Sequence, residues 1–213
     1  MPSQSFSPVS RIEPTLITAL GRYAILGCAI FAISILIADF VVPKHDWVAD
    51  TISDLGAGRY EFIVDIGIYA FSASLISIAI LAAHVHLGGL HWSMGIIGLM
   101  ALGLLVFLVG ARNEYGDNDT EGFVIHRYLV YGIGALTSLV PVLMSSGAAR
   151  IARAYRPTLI GIAIVWAVCA PVFFFLPDNV DGIYERFLGT IVVVLICVLV
   201  KLFFTVRDTH TDD

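Results

Sequence analysis

The residues able to do chemistry fall into three short runs. The first reads Lys44-His45-Asp46-Trp47, then Asp50, then Ser53-Asp54. The second is His126-Arg127 and the third Glu185-Arg186. Carboxylates and an imidazole supply general acids and bases, and guanidinium groups grip anionic oxygens. Asp54, His126 and Glu185 are therefore the candidate catalytic groups. Ser53, Arg127 and Arg186 are candidates for holding the polar or anionic part of a substrate. His45, Asp46 and His126 offer a mixed nitrogen–oxygen set that would suit a divalent metal such as zinc. No HExxH, GxSxG or P-loop pattern accompanies them.

Each candidate also has a structural reading. If Asp46 to Asp54 is helical, Asp46, Asp50 and Asp54 recur every four residues and share one face. Like charges at that spacing repel by a few tenths of a kcal/mol per pair, so a cation, an arginine or water must offset them. A solvated loop in which Ser53 or Asp54 caps a turn would serve as well. Asp39 and Asp65 lie about one turn inside the ends of apolar runs, where ionisable groups pair with one another or face the bundle interior. Arg127 and Arg186 are natural partners for these two carboxylates, or for Asp54 or Glu185.

The elements that position these groups follow from composition. The chain has 213 residues, of which 58% are hydrophobic and only 14% charged, with a mean hydropathy of +0.90. A soluble domain carries roughly 25% charged residues, so lipid is the solvent implied here. Six stretches reach the ~20 apolar residues that a spanning helix needs: Gly21 to Val42, Phe62 to His84, Trp92 to Ala111, Phe123 to Ala149, Pro157 to Leu176 and Tyr184 to Phe204. Backbone polar groups must pair within hydrocarbon, so these runs are expected as helices. The alternating segments of a β-barrel are missing. The expected fold is an all-α transmembrane bundle over residues 21–205, between a polar segment 1–20 and a polar tail 206–213. The N-terminal stretch lacks the pattern of a cleaved signal peptide, so the first apolar run is expected to be retained.

Six crossings put both termini on one side. The fourth connection carries Arg150, Arg153 and Arg156 with no acid among them. By the excess of positive charge in cytoplasmic loops, that side and both termini are expected to be cytoplasmic. The three candidate runs then all lie at the outward face, together with most of the seventeen acidic residues, including the acidic third connection from Arg112 to Gly122. With a net charge of −5 and no basic block, nucleic acid is not an expected partner.

The remaining polar features read as structural. His84, His86 and His91 crowd one short turn, where they suit a headgroup-level loop more than a metal or haem site. Ser72, Ser74 and Ser77, and Ser138, Ser145 and Ser146, suit helix packing. Gly95, Gly98, Gly103, Gly132 and Gly134 suit close backbone approach, and Pro141 and Pro171 suit kinks. Trp47 and Trp92 are expected at the membrane interfaces. Cys28, Cys169 and Cys197 lie in apolar runs without CxxC spacing.

The run Ile52-Ser53-Asp54-Leu55-Gly56-Ala57 after a first helix, a later helix opening near His126, and a last helix opening with Gly182-Ile183-Tyr184-Glu185-Arg186 together resemble the prokaryotic membrane family called domain of unknown function 998. The resemblance implies a multi-helix protein of the bacterial or archaeal plasma membrane. It marks Ser53, Asp54, Gly56, His126, Glu185 and Arg186 as the family-like polar positions, without naming a reaction. Three functions fit this pattern: a hydrolase acting on a lipid headgroup or lipid-linked substrate, with or without a metal; an ion, proton or solute transporter or channel; and a non-catalytic sensor or partner-binding module. Membrane lipids are the expected partners, and six helices could form a pore as a homo-oligomer.

Overall fold

The computed structural model describes residues 12–56, 59–111 and 125–211. The acidic third connection from Arg112 to Gly122 lies outside them. The described residues form helices α1 (Pro14–Val41), α2 (Ile52–Leu55), α3 (Glu61–Val85), α4 (Leu90–Ala111), α5 (Ile125–Ala148), α6 (Tyr155–Val172) and α7 (Asp181–Thr211), with a 3-10 turn at Phe173–Phe175 after α6. No strand occurs among them. All the helices but α2 are long and apolar enough to cross a membrane. The chain is a multi-pass integral membrane protein.

The spans match the six expected runs, but the outer helices are longer. α1 starts at Pro14 rather than Gly21, because proline is tolerated in a first turn and Ile17 is fully buried. α7 continues through most of the expected polar tail. Val206 is buried there, and Arg207 donates to Thr18 Oγ1 at 3.0 Å while its guanidinium lies 4.6 Å from the Phe204 ring centroid. The helical bundle thus extends beyond 21–205 at both ends.

Short connections keep consecutive helices adjacent. The spans follow one another around a ring in chain order, and α7 closes it against α1 and also touches α3. α5 and α7 hardly meet. Lipid tails are as apolar as leucine, so close packing of small residues has to hold such a bundle. Gly27 of α1 faces Ala70 of α3, whose carbonyl oxygen would stand 2.5 Å from an added β-carbon. The Ser72 hydroxyl of α3 donates to the Gly103 carbonyl of α4 at 2.7 Å. Gly98 and Gly132 admit Val140 and Leu105 between α4 and α5.

Packing is densest at the end that carries the termini. Ile17 is joined there by Ala82, Trp92, Ala148, Leu159, Leu202 and Phe203, all essentially inaccessible. Trp92, in the first turn of α4, is buried in the core. Gly147 opposite leaves room for its ring, and its indole N–H donates to the Ala82 carbonyl at 2.9 Å near the end of α3, so the core satisfies its one polar atom. Trp47, by contrast, is exposed.

At the opposite end the ring is looser. Pro171 lacks the N–H that would meet the carbonyl of Ala167, and α6 gives way to the 3-10 turn two residues later. Pro141 stays within α5.

The packing predicts a contrast between two glycines. Gly27→Ala should destabilise the detergent-solubilised protein by roughly 1–3 kcal/mol, the usual cost of overpacking, read as a lower thermal midpoint. Gly161→Ala, with no atom within 4 Å of its β-carbon, should hold or raise the midpoint, since alanine favours helix by up to ~1 kcal/mol.

Candidate functional site

The connection between α1 and α3 folds over the looser end of the bundle. It is not the continuous helix that would align Asp46, Asp50 and Asp54. Each of these carboxylates instead accepts a main-chain N–H nearby: Asp46 Oδ1 from Val48 at 3.0 Å, Asp50 Oδ2 from Asp46 at 2.8 Å, and Asp54 Oδ2 from Thr51 at 2.7 Å. Local turns win because they pair donors that a solvated loop would leave to water. Thr51 and Asp54 form a reciprocal capping box around α2. The Thr51-x-x-Asp54 spacing is a readable signature of it.

Glu185 and Arg186, in the first turns of α7, hold this connection from below. Arg186 Nη1 donates to the Asp50 carbonyl at 3.0 Å and to the Gly182 carbonyl at 2.9 Å. Its Nη2 reaches Asp39 Oδ1 at 2.6 Å, near the end of α1. Glu185 Oε2 accepts from Ile52 N at 2.5 Å. Main-chain bonds from Gly182 N to Ala49 O at 3.1 Å and from Ile183 N to Val48 O at 3.0 Å complete the seam. Gly182 has to be glycine, because a β-carbon there would overlap the Asp50 carbonyl.

His45 belongs to this clamp. Its Nε2 lies 3.0 Å from Asp39 Oδ1 and its Nδ1 3.3 Å from Asp50 Oδ2, while Arg186 Nη2 stands 3.2 Å from Nε2. Both ring nitrogens are thus engaged, beside a guanidinium that would repel a second cation. His126 lies with Ser53 instead, and Asp46 is exposed in its own turn. Among the described residues no three His, Cys, Asp or Glu side chains converge as a metal shell requires, so His45, Asp46 and His126 do not form one site.

The clamp brings a side chain of α2 to one at the start of α5. Ser53 Oγ lies 3.3 Å from His126 Nε2, and His126 is buried. Arg127, the next residue, is exposed. Ser53, His126 and Glu185 all border a cavity of about 460 Å³ that descends into the centre of the ring, where α5 and α7 hardly meet. Below them the lining is almost wholly apolar and includes Phe31, Phe71, Val106, Trp166 and Val192. Phe31 and Phe71, both on its wall, stack on each other with ring centroids 4.6 Å apart. Asp54 is not among the lining residues.

The structure therefore joins Ser53, His126 and Glu185 on the lining of one cavity, assigns Asp54 to the cap, and commits the Arg186 terminal nitrogens to the protein's own oxygens. The cavity itself escaped the sequence reading. Apolar residues lining a void and apolar residues facing lipid share one pattern. Asp65 gains neither arginine partner: its buried Oδ1 meets no hydrogen-bond donor among the described residues. In the histidine-rich turn, His84 Nε2 accepts from Glu13 N at 2.9 Å, tying the start of α1 to the end of α3, and His86 Nε2 lies 3.2 Å from Ser93 Oγ close by in the chain.

The pattern of the family described as Protein of unknown function (DUF998) matches residues 25–201, and the chain belongs to that family. No curated protein and no solved structure matches it.

Removing one partner from a paired, largely buried ion pair costs about 3–5 kcal/mol. Arg186→Ala should therefore lower the thermal midpoint strongly. Adding Asp39→Asn should restore part of the loss, because the carboxylate that has lost its arginine is then neutral. Equal midpoints for the single and double variants would show that Asp39 does not depend on Arg186.

Proposed function

We propose that this family member is a membrane-embedded hydrolase that cleaves an ester in an amphiphilic, lipid-like substrate. The observation that carries the reading is the Ser53–His126 pair, 3.3 Å apart, at the polar mouth of an otherwise apolar cavity. A pocket of several hundred Å³ with a few convergent polar groups is the usual form of a small-molecule site. Here the apolar part asks for hydrocarbon, and the polar part stands where a headgroup linkage would sit.

Ser53 Oγ is the nucleophile in this scheme. His126 Nε2 takes its proton as the oxygen attacks the ester carbonyl, then returns that proton to the departing alcohol. Water enters next and gives a proton to His126 as its oxygen attacks the acyl carbonyl; His126 passes that proton to Ser53 Oγ as the acid leaves. Glu185 is a positioning residue: by holding Ile52 N it fixes the turn that presents Ser53. Arg127, exposed beside His126, is placed to meet an anionic headgroup. No step requires a metal. The transport alternative draws less support, because the cavity descends onto apolar packing rather than onto further ionisable groups.

Purified protein should release fatty acid from ester-linked glycerolipids in a mass-spectrometric assay. Ser53→Ala and His126→Gln should each cut the rate by at least ~10²-fold, the typical worth of an acid–base or nucleophilic group. Asp46→Asn, an exposed turn residue, should leave it unchanged. Full activity in Ser53→Ala would overturn the assignment.

A further inference from the structure

We propose that the cavity gauges the length of a hydrocarbon tail, and that Gly134 keeps its deep end open. This rests on the lipid-like substrate read above and adds which part of that substrate the protein measures.

The cavity reaches from His126 to Ser138 along α5, which is about 18 Å at 1.5 Å per residue. Half of a typical hydrocarbon core is about 15 Å. The cavity is therefore about as deep as one leaflet, the depth over which a lipid's own tail extends. Its deep end holds no unmet polar group on Ser138 or Trp166. The Trp166 indole N–H and the Ser138 hydroxyl both donate to the Gly134 carbonyl, at 2.9 and 3.1 Å. An apolar group can end there without stranding either donor.

Gly134 stands apart from the glycines that let helices approach. Gly95, Gly98 and Gly132 each face a neighbouring side chain that a β-carbon would crowd, whereas a β-carbon at Gly134 would meet nothing within 4 Å. Glycine in a helix interior is disfavoured relative to alanine, and no packing contact offsets that cost here. The space beside Gly134 belongs to the cavity. A larger residue would occupy it without displacing a helix, and would shorten the bore.

The test measures binding rather than turnover, so it separates this inference from the hydrolase reading. The full chain carrying Ser53→Ala, exchanged into amphipol, is titrated with a homologous series of saturated lysophosphatidylcholines. Each buried methylene should tighten binding by about fourfold until the tail reaches the deep end, where affinity should level off. In a Gly134→Leu background the levelling should move to tails several carbons shorter, with Gly134→Ala intermediate. Gly161→Leu, away from the cavity lining, should leave the profile unchanged. Thermal midpoints confirm that each variant folds, and Gly134→Ala carries the test if the leucine variant does not. An unshifted profile, or no dependence on tail length, overturns the inference. A shifted profile in a protein that hydrolyses nothing would remove the chemistry and leave the gauge standing.

Discussion

Two adjacent and oppositely charged residues hold the polar end of this protein together. Glu185 takes the N–H of Ile52, and Arg186 takes the carbonyl of Asp50 and the carboxylate of Asp39. The connection between α1 and α3 is thus gripped on both sides of Thr51. In a low-dielectric setting such charge-assisted bonds are strong when complete and costly when broken. The seam between Val48–Ala49 and Gly182–Ile183, the seating of the single-turn helix α2 and the placement of Ser53 all follow from that grip. So does the commitment of His45, whose ring nitrogens complete the contacts to Asp39 and Asp50 rather than facing a ligand.

The bundle divides its work along its length. Towards the termini the helices pack through small residues and large inward side chains such as Trp92 and Phe203. Towards the clamp, the six spans line a cavity between them, and Pro171 loosens the end of α6. A void there would normally forfeit dispersion contacts on its lining. The polar cap closes over it and brings a hydroxyl and an imidazole to its mouth. Tight packing and an open, capped cavity are in this sense complementary halves of one design: the first fixes the helices that line the second.

Much of this was legible in the residues. The six spans follow from apolar runs and from the need to pair every backbone group in lipid, a constraint strong enough to fix helices without any contact information. Ser53, His126, Glu185 and Arg186 were legible as polar outliers, and the three runs that carry the family resemblance are those that meet in space. Their roles were not legible. Asp54 and Arg186 look like site residues by type, yet the Thr51 cap and the Asp39 pairing claim them. The helical register of Asp46, Asp50 and Asp54 failed because turn-forming carboxylates prefer nearby N–H groups. Gly132 and Gly134 look alike in sequence, but one meets Leu105 and the other meets open space. Such differences depend on which residue of a distant helix stands opposite, which no local pattern encodes.

The claim on which the function rests is that Ser53 is a nucleophile at the mouth of an apolar cavity. Its most direct test is covalent. The purified protein is treated with a long-chain alkyl fluorophosphonate, weighed intact and mapped by peptide mass spectrometry. The account predicts a single adduct on Ser53, lost when His126 is replaced by glutamine. Absence of any adduct, or an adduct elsewhere with Ser53 untouched, would contradict it.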